Sequence, residues 1–187
     1  MGCQRGVART RVGYTGGTTA EPTYRRMGDH TETVQADFDP AVVDFRELLE
    51  LFWRSHQASR PAWSRQYMSA IFTMDEQQAR LAREVKAEQE EATGRQLRTE
   101  ILPASRFYPA EDYHQKYILQ GDRLLNQEFR RMYPDFAEFV DSPAAAKVNG
   151  YLYGCGSLDQ IRTELSSLGL SAQGADHLLA RVRRRGG

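Results

Sequence analysis

The residues best suited to chemistry in this 187-residue chain are two cysteines and one glutamate. Cys3 and Cys155 are its only thiols, and the thiolate is the form that attacks or is oxidised. Two cysteines in a chain this long do not make a disulfide framework, so their chemistry reads as redox or nucleophilic, and the setting as reducing and cytoplasmic. Glu32 sits in an alternating stretch, Thr31 to Phe38, where Glu32, Val34, Ala36 and Phe38 share one face. A carboxylate at the edge of an apolar face is a candidate for a raised pKa, because desolvation disfavours its charged form. His30 and His114 read as structural hydrogen-bonding residues. With no cysteine or acid at ligand spacing they do not make a metal site.

A few elements must position these groups. Arg9 to Tyr14 alternates and is β-prone, until Gly16-Gly17 breaks it by admitting positive φ. Thr18 to Asp29 is a polar loop, so two strands are expected to flank a glycine-rich connection. Asp39-Pro40 turns the chain, with Asp37 and Asp39 as turn formers. Ala41 to His56 repeats apolar residues at Phe45, Leu48, Leu49, Phe52 and Trp53, the stripe of a helix, with Asp44 as its N-cap or an acid of its first turn. Gln66 to Phe72 is expected as a strand, Asp75 to Thr93 as a charged helix ended by Gly94, Arg98 to Leu102 as another strand, and Ala110 to Leu119 as a short helix. Beyond Gln120 the pattern is helical: Leu124 to Met132, Phe136 to Ala146, Leu158 to Leu168 and Ala175 to Arg184. Between them, Val148 to Ser157 reads as a glycine-rich loop or short strand carrying Cys155. Ser171 is the expected cap of the last helix, and Gly186-Gly187 should fray. Alternating strand and helix predict an α+β fold with one mixed sheet.

Composition narrows the classes further. The chain is 40% hydrophobic and 27% charged, which supports a core, and its 25 basic and 25 acidic residues cancel. That balance argues against electrostatic binding to nucleic acid or a membrane. The run Arg181 to Arg185 reads as a solvated helix end. No apolar run approaches a bilayer span. The N-terminal residues show no apolar signal region, and Gly6 breaks the myristoylation pattern that Gly2 would start.

An ordered set of motifs resembles a known family. Val12-Gly13-Tyr14-x-Gly16-Gly17, Pro22-Thr23-Tyr24, Gly28-Asp29-His30-Thr31-Glu32 and Asp39-Pro40 are similar to the A-type peptide methionine sulfoxide reductases. Gln66-Tyr67-x-Ser69-Ala70-Ile71 and Phe107-Tyr108-x-Ala110-Glu111-x-Tyr113-His114-Gln115-x-Tyr117 continue the match. The resemblance implies a two-layer αβ-plait-like sandwich over residues 1–156, with a helical C-terminal extension over 157–187. It implies reduction of methionine-S-sulfoxide, free or in proteins, without metal or organic cofactor, by a monomer that uses thioredoxin or another dithiol as reductant and binds neither nucleic acid nor membrane.

Residue by residue, the resemblance makes Glu32 the proton donor and Tyr24 and Tyr67 the donors to the sulfoxide oxygen. Cys3 matches the nucleophile, and Cys155, near the segment opened by Asn149-Gly150-Tyr151, is the candidate resolving thiol. Two departures stand out. In the family the nucleophile begins Gly-Cys-Phe-Trp-Gly-x-Glu, whereas here Gly2-Cys3 is followed by Gln4-Arg5-Gly6. Cys3 is therefore either a nucleophile in a shortened setting or a thiol at a frayed terminus. Pro61-Ala62-Trp63-Ser64 stands where many members carry an aspartate. The alternative to an enzyme is a catalytically silent relative that binds methionine sulfoxide or a partner.

Overall fold

In the computed structural model, which describes residues 1–184, the chain is α+β and falls into two units: Met1–Arg11, Gln35–Val42 and Asp112–Gly187 form one, Val12–Val34 and Val43–Glu111 the other. The expected fraying of Gly186-Gly187, and Arg185 of the basic run, lie outside the described residues. Strand β1 (Val7–Thr15) and strand β2 (Thr31–Phe38) each contribute to both units. With the two-residue β5 (Tyr108–Pro109) they make a sheet of order β2-β1-β5. Strands β3 (Ala70–Thr73) and β4 (Glu100–Pro103) pair in parallel as a second sheet, so the strands divide between two small sheets.

In the second unit, β1 ends antiparallel to β5, with Gly13 opposite Pro109 and Tyr14 opposite Tyr108. Gly16 then turns at φ 80°, where a side chain would be strained. Helix α1 (Phe45–Arg54) starts with a full capping box: the Asp44 carboxylate accepts from Glu47 N–H, and the Glu47 side chain accepts from Asp44 N–H. Its apolar stripe meets helix α2 (Glu76–Thr93) and the β3–β4 pair through Leu49, Trp53, Ile71, Ala82, Val85 and Leu97. Residues Arg65–Tyr67, expected within a strand, form a 3-10 turn, because Tyr67 N–H and Met68 N–H bond back three residues to Ser64 and Arg65. Only Ala70 onward is extended.

The first unit is mostly helical: α3 (Tyr117–Gln120), α4 (Arg123–Met132), α5 (Phe136–Asp141), α6 (Pro143–Tyr153), α7 (Leu158–Glu164) and α8 (Ala172–Arg183). The stretch expected as one helix from Phe136 to Ala146 is broken at Ser142, whose hydroxyl caps α6 while Pro143 takes its first position. The short helix expected over Ala110 to Leu119 is a 3-10 turn, Asp112–His114, followed by α3. Ser171 caps α8 as expected. Leu119, Leu125, Phe129, Phe139, Tyr151, Ile161, Leu168 and Leu178 share one core, so α7 and α8 pack with the helices before them. Arg181 lies 3.4 Å from the Asp122 carboxylate. Asp37, read as a turn former, instead pairs with Arg9 and with Arg11 at 3.7 Å, while Asp39 does form a turn, accepting from Ala41 N–H.

Lys116 separates the 3-10 turn from α3. It holds φ 48° and is 5% exposed, with its ammonium donating to the Thr10 carbonyl. Burial lowers its pKa from 10.5 to about 8; the charge of Asp141 opposes the shift and that of Arg11 adds to it. Between those two values the unfolded chain holds a proton that the folded chain lacks. Stability contributed by this group therefore rises as pH climbs from about 8 towards 10.5, and is absent below that window, a span on the order of 3 kcal/mol. Urea denaturation of wild type and Lys116→Met at pH 7 and pH 10 checks it. The wild type should gain on the variant at the higher pH, and a constant difference would contradict the assignment. Among the described residues no helix is long and apolar enough to cross a membrane.

Candidate functional site

The first unit brings its two thiols together. Cys3 and Cys155 are joined by a disulfide with Cα atoms 6.1 Å apart, and neither is free. Cys3 is 7% exposed and packs in the helical core, so the frayed-terminus reading is not what the structure holds. Cys155 lies on a loop, as expected, but Val148 to Tyr153, expected as part of the same loop or short strand, belongs to α6, which continues through Asn149 and Gly150 and stops where Gly154 adopts φ 107°. Cys155 N–H bonds back to the Gly150 carbonyl.

Three residues that the sequence reading missed hold this pair. Gly150 lies against it: a Cβ there would sit 2.8 Å from Cys3 N, 2.9 Å from Cys155 Sγ and 3.1 Å from Cys3 Cβ. Gln160, on α7, donates from Nε2 to the Cys3 carbonyl at 2.9 Å and to Glu164 at 3.3 Å. Glu164 in turn accepts from Lys147 and from the Tyr151 hydroxyl, both at 2.6 Å. Burial, then the bond to Glu164, pushes the Tyr151 phenol far above its ordinary range, which keeps it a donor. Gly150→Ala puts two effects in opposition. Helix propensity favours Ala by about 0.5–1 kcal/mol, whereas overpacking costs about 1–3 kcal/mol. With a backbone nitrogen among the obstructing atoms, overpacking should win. The expected result is a lower denaturation midpoint for the oxidised protein and, with a thiol reagent, free thiol where the wild type has none. Unchanged stability and no free thiol would refute this.

The second unit gathers an acid and two phenols. Glu32 and Tyr67 are joined by the Gln66 amide, whose Nε2 donates to the Glu32 carboxylate at 2.7 Å and to the Tyr67 oxygen at 2.9 Å. Tyr24 hydrogen-bonds Tyr67. That bond is the main cause of a raised Tyr67 pKa, with partial desolvation and the nearby Glu32 charge adding to it, so Tyr67 stays an O–H donor. Both phenols face solvent, Tyr24 at 42% and Tyr67 at 39% exposure. Glu32 is exposed as well, and so is Val34, which corrects the expectation of an apolar face. The buried residue at this end of β2 is Thr31, on the opposite face.

Around that group the loops are pinned by side chains. Glu111 accepts from Tyr24 N–H at 2.9 Å and from the Tyr14 hydroxyl at 2.6 Å, so one carboxylate fixes the backbone at Tyr24. Asp29 accepts from the N–H and hydroxyl groups of Thr18 and Thr19, with distances of 2.8 to 3.0 Å. Those donors, Thr19 N–H first, hold its pKa well below the usual carboxylate range. His30 is 1% exposed; its Nδ1 accepts from Gly17 N–H and its Nε2 faces the Thr19 carbonyl at 2.8 Å, a structural role as expected. Trp63, 82% exposed, lies against Tyr67 with ring centroids 4.7 Å apart. Among the described residues no cluster of three or more His, Cys, Asp or Glu could hold a metal ion.

A family model described as peptide methionine sulfoxide reductase matches residues 1–144. The chain belongs to that family. A Drosophila melanogaster peptide methionine sulfoxide reductase is 44% identical over 173 residues, covering 91% of this chain and 69% of that protein. Peptide methionine sulfoxide reductase A5 of Oryza sativa subsp. japonica is 42% identical over 158 residues, covering 81% of this chain and 61% of its own length. The chain thus spans under two thirds of the rice relative. Among solved structures, methionine sulfoxide reductase A of Corynebacterium diphtheriae aligns with 38% identity and TM-score 0.54, over 60% of this chain and 63% of that one. Mxr1 from Saccharomyces cerevisiae in reduced form aligns with 28% identity and TM-score 0.57, over 60% of this chain and 71% of that one. The fold is that of these reductases. Cys155 lies beyond the matched 1–144 stretch, within the part of the chain that holds α7 and α8.

Proposed function

We propose that this chain reduces methionine-S-sulfoxide, free or in proteins, to methionine, and so repairs oxidised protein. Cys3 as thiolate attacks the sulfoxide sulfur while Tyr24 and Tyr67 donate hydrogen bonds to its oxygen and Glu32 supplies a proton. The attack joins Cys3 Sγ to the substrate sulfur; the oxygen then passes to Cys3 as both this sulfur–sulfur bond and the original sulfur–oxygen bond break, so that methionine leaves and Cys3 carries the oxygen as a sulfenic acid. The Cys155 thiol displaces that oxygen as water and forms the Cys3–Cys155 disulfide. An external dithiol, thioredoxin or a small-molecule equivalent, reduces the disulfide by exchange. The balance is one sulfoxide and two thiols giving one thioether, one disulfide and one water. No metal or organic cofactor enters the scheme, and we place the activity of a monomer in the cytoplasm.

The observation that carries this reading is the pairing of the only two thiols, in a chain of this family, as the disulfide that the reaction leaves behind. The raised Tyr67 pKa supports a phenol acting as donor. The test is consumption of chromophore-tagged methionine sulfoxide with dithiothreitol, the S and R epimers resolved by chromatography. Loss of the S epimer alone supports the proposal. Loss of neither, by a folded protein, points to the silent binding relative.

A further inference from the structure

The acid and phenols of the second unit have an aromatic neighbour that the proposed chemistry leaves unused. Trp63 is 82% exposed, yet its ring lies against that of Tyr67, with centroids 4.7 Å apart and planes 31° from parallel. Tyr67 in turn hydrogen-bonds Tyr24. The three rings are linked one to the next, and each faces solvent.

This aromatic surface does little for the fold. The apolar clusters of the unit, Leu49, Trp53, Ile71, Ala82, Val85 and Leu97 in one and Tyr14, Met27 and Ala110 in the other, include none of the three. A tryptophan is well buried on average, so an indole left this open presents apolar area for which water is a poor solvent. Contiguous exposed apolar surface of this kind marks a place where something binds. The backbone under it is held in place. The Arg65 guanidinium donates to the Asp29 carbonyl at 3.1 Å and to the Gly16 carbonyl at 3.2 Å, and the Thr31 hydroxyl donates to the Arg65 carbonyl at 3.1 Å. The 3-10 turn that carries Tyr67 is thereby fastened to the loop before β2, and Trp63 stands just ahead of that turn. Rigid aromatic side chains give contact area at low entropic cost.

The position of the indole says what covers it. With the Tyr24 and Tyr67 hydroxyls on the sulfoxide oxygen, Trp63 is one ring's width from the reacting group. Consecutive residues of a peptide are about 3.8 Å apart at Cα, so the side chain next to the oxidised methionine reaches the indole. Free methionine sulfoxide has no second side chain to place there. The exposed Glu32 carboxylate, bridged to Tyr67 by the Gln66 amide, repels an acidic neighbour. We infer that Trp63 is a specificity-determining residue, and that the preferred substrate is methionine-S-sulfoxide within a peptide, beside an apolar or aromatic residue that packs on the indole. The inference rests on the proposed reductase reading for the placement of the sulfoxide, and narrows its substrate.

The test uses the full chain, dithiothreitol, and three peptides whose central methionine-S-sulfoxide is flanked on both sides by phenylalanine, glycine or aspartate. The phenylalanine peptide should exceed the glycine peptide in kcat/KM by about tenfold or more, with the aspartate peptide lowest. Trp63→Ala should bring the first two together by raising KM for the phenylalanine peptide. A second readout needs no turnover. The oxidised chain labelled with nitrogen-15 has two indole N–H signals, which Trp63→Phe assigns. The phenylalanine peptide should move the Trp63 signal at about tenfold lower concentration than the glycine peptide, and leave that of buried Trp53 in place. Turnover indifferent to the flanking residue, or an unmoved Trp63 signal, would overturn the inference and leave the reductase reading standing. An equal fall in kcat for all three peptides in Trp63→Ala would also overturn it, reducing the indole to a prop for Tyr67. Preferential binding at Trp63 with no turnover of any peptide would uphold the specificity and sink the reductase reading instead.

Discussion

Cys3→Ser is expected to abolish the proposed turnover of methionine-S-sulfoxide, a loss of about a thousandfold or more, because a hydroxyl is a far weaker nucleophile than a thiolate towards sulfur. Cys155→Ser is expected to behave differently: it should leave the first chemical step intact and remove the internal thiol proposed to condense with the sulfenic acid. One equivalent of methionine per protein should still form, after which thioredoxin-driven cycling stops. Rapid mixing of reduced protein with excess sulfoxide separates the two variants: the serine at 155 gives a full first burst and the serine at 3 gives none. A burst from the serine at 3 and none from the serine at 155 would exchange the roles of the thiols, equal bursts would mean that neither is needed for the first step, and unimpaired cycling by either variant would remove its substituted thiol from the reaction. The buried position of Cys3 makes a stability control necessary. Both variants lose the cross-link over 152 residues, for which the loop-closure account gives about 5 kcal/mol of destabilisation relative to the oxidised wild type. The comparison therefore belongs in reducing conditions, where no form is cross-linked.

Glu32→Gln is expected to lower kcat by about a hundredfold or more, the usual contribution of a positioned general acid. The substitution keeps the length of the side chain and an oxygen for the Gln66 amide, and removes only the group that can give a proton. Glu32 is exposed, so the variant should unfold at the same denaturant concentration as wild type. Gln66→Leu makes the contrast: it breaks the bridge at 2.7 Å to Glu32 and 2.9 Å to Tyr67 and leaves the carboxyl and phenol in place. Its effect should be smaller and fall on KM as well as kcat, the signature of lost positioning. Full activity in Glu32→Gln would reduce the carboxylate to an anchor for Gln66.

What the sequence made legible was local and periodic. The Gly16 break, the Asp44 cap and the stripe of α1 follow from backbone sterics and from which polar groups satisfy open amides, and each stands as read, while the Glu47 half of the cap came from the structure. The gathering of Tyr24, Glu32 and Tyr67 was reachable only through the motif set, because Tyr67 is 43 residues from Tyr24 in a chain whose connecting elements carry no mark of their proximity. Alternation showed that β2 has two faces but not which one meets protein, and the face with Glu32 and Val34 turned out exposed.

The largest departure is α6. Asn149, Gly150 and Gly154 look like helix breakers, yet only Gly154 ends the helix. Asn149 is spent on its neighbour, its carbonyl accepting from Ile118 and Leu119 N–H at 3.1 Å. Gly150 weakens the helix locally but admits the Cys3 segment. Close approach of a distant segment leaves no trace in a window of adjacent residues, so the pairing of Cys3 with Cys155 was reachable only through the resemblance, and the support from Gln160 was hidden.

The account is tested most directly by the fate of the two thiols in a single turnover. Fully reduced protein is mixed with one equivalent of methionine-S-sulfoxide, with no other reductant, quenched in acid and digested without reduction. The account predicts one methionine released per protein and one new cross-linked peptide pair joining Cys3 to Cys155. Intact sulfoxide with both thiols still free, from protein shown to be folded, would contradict it.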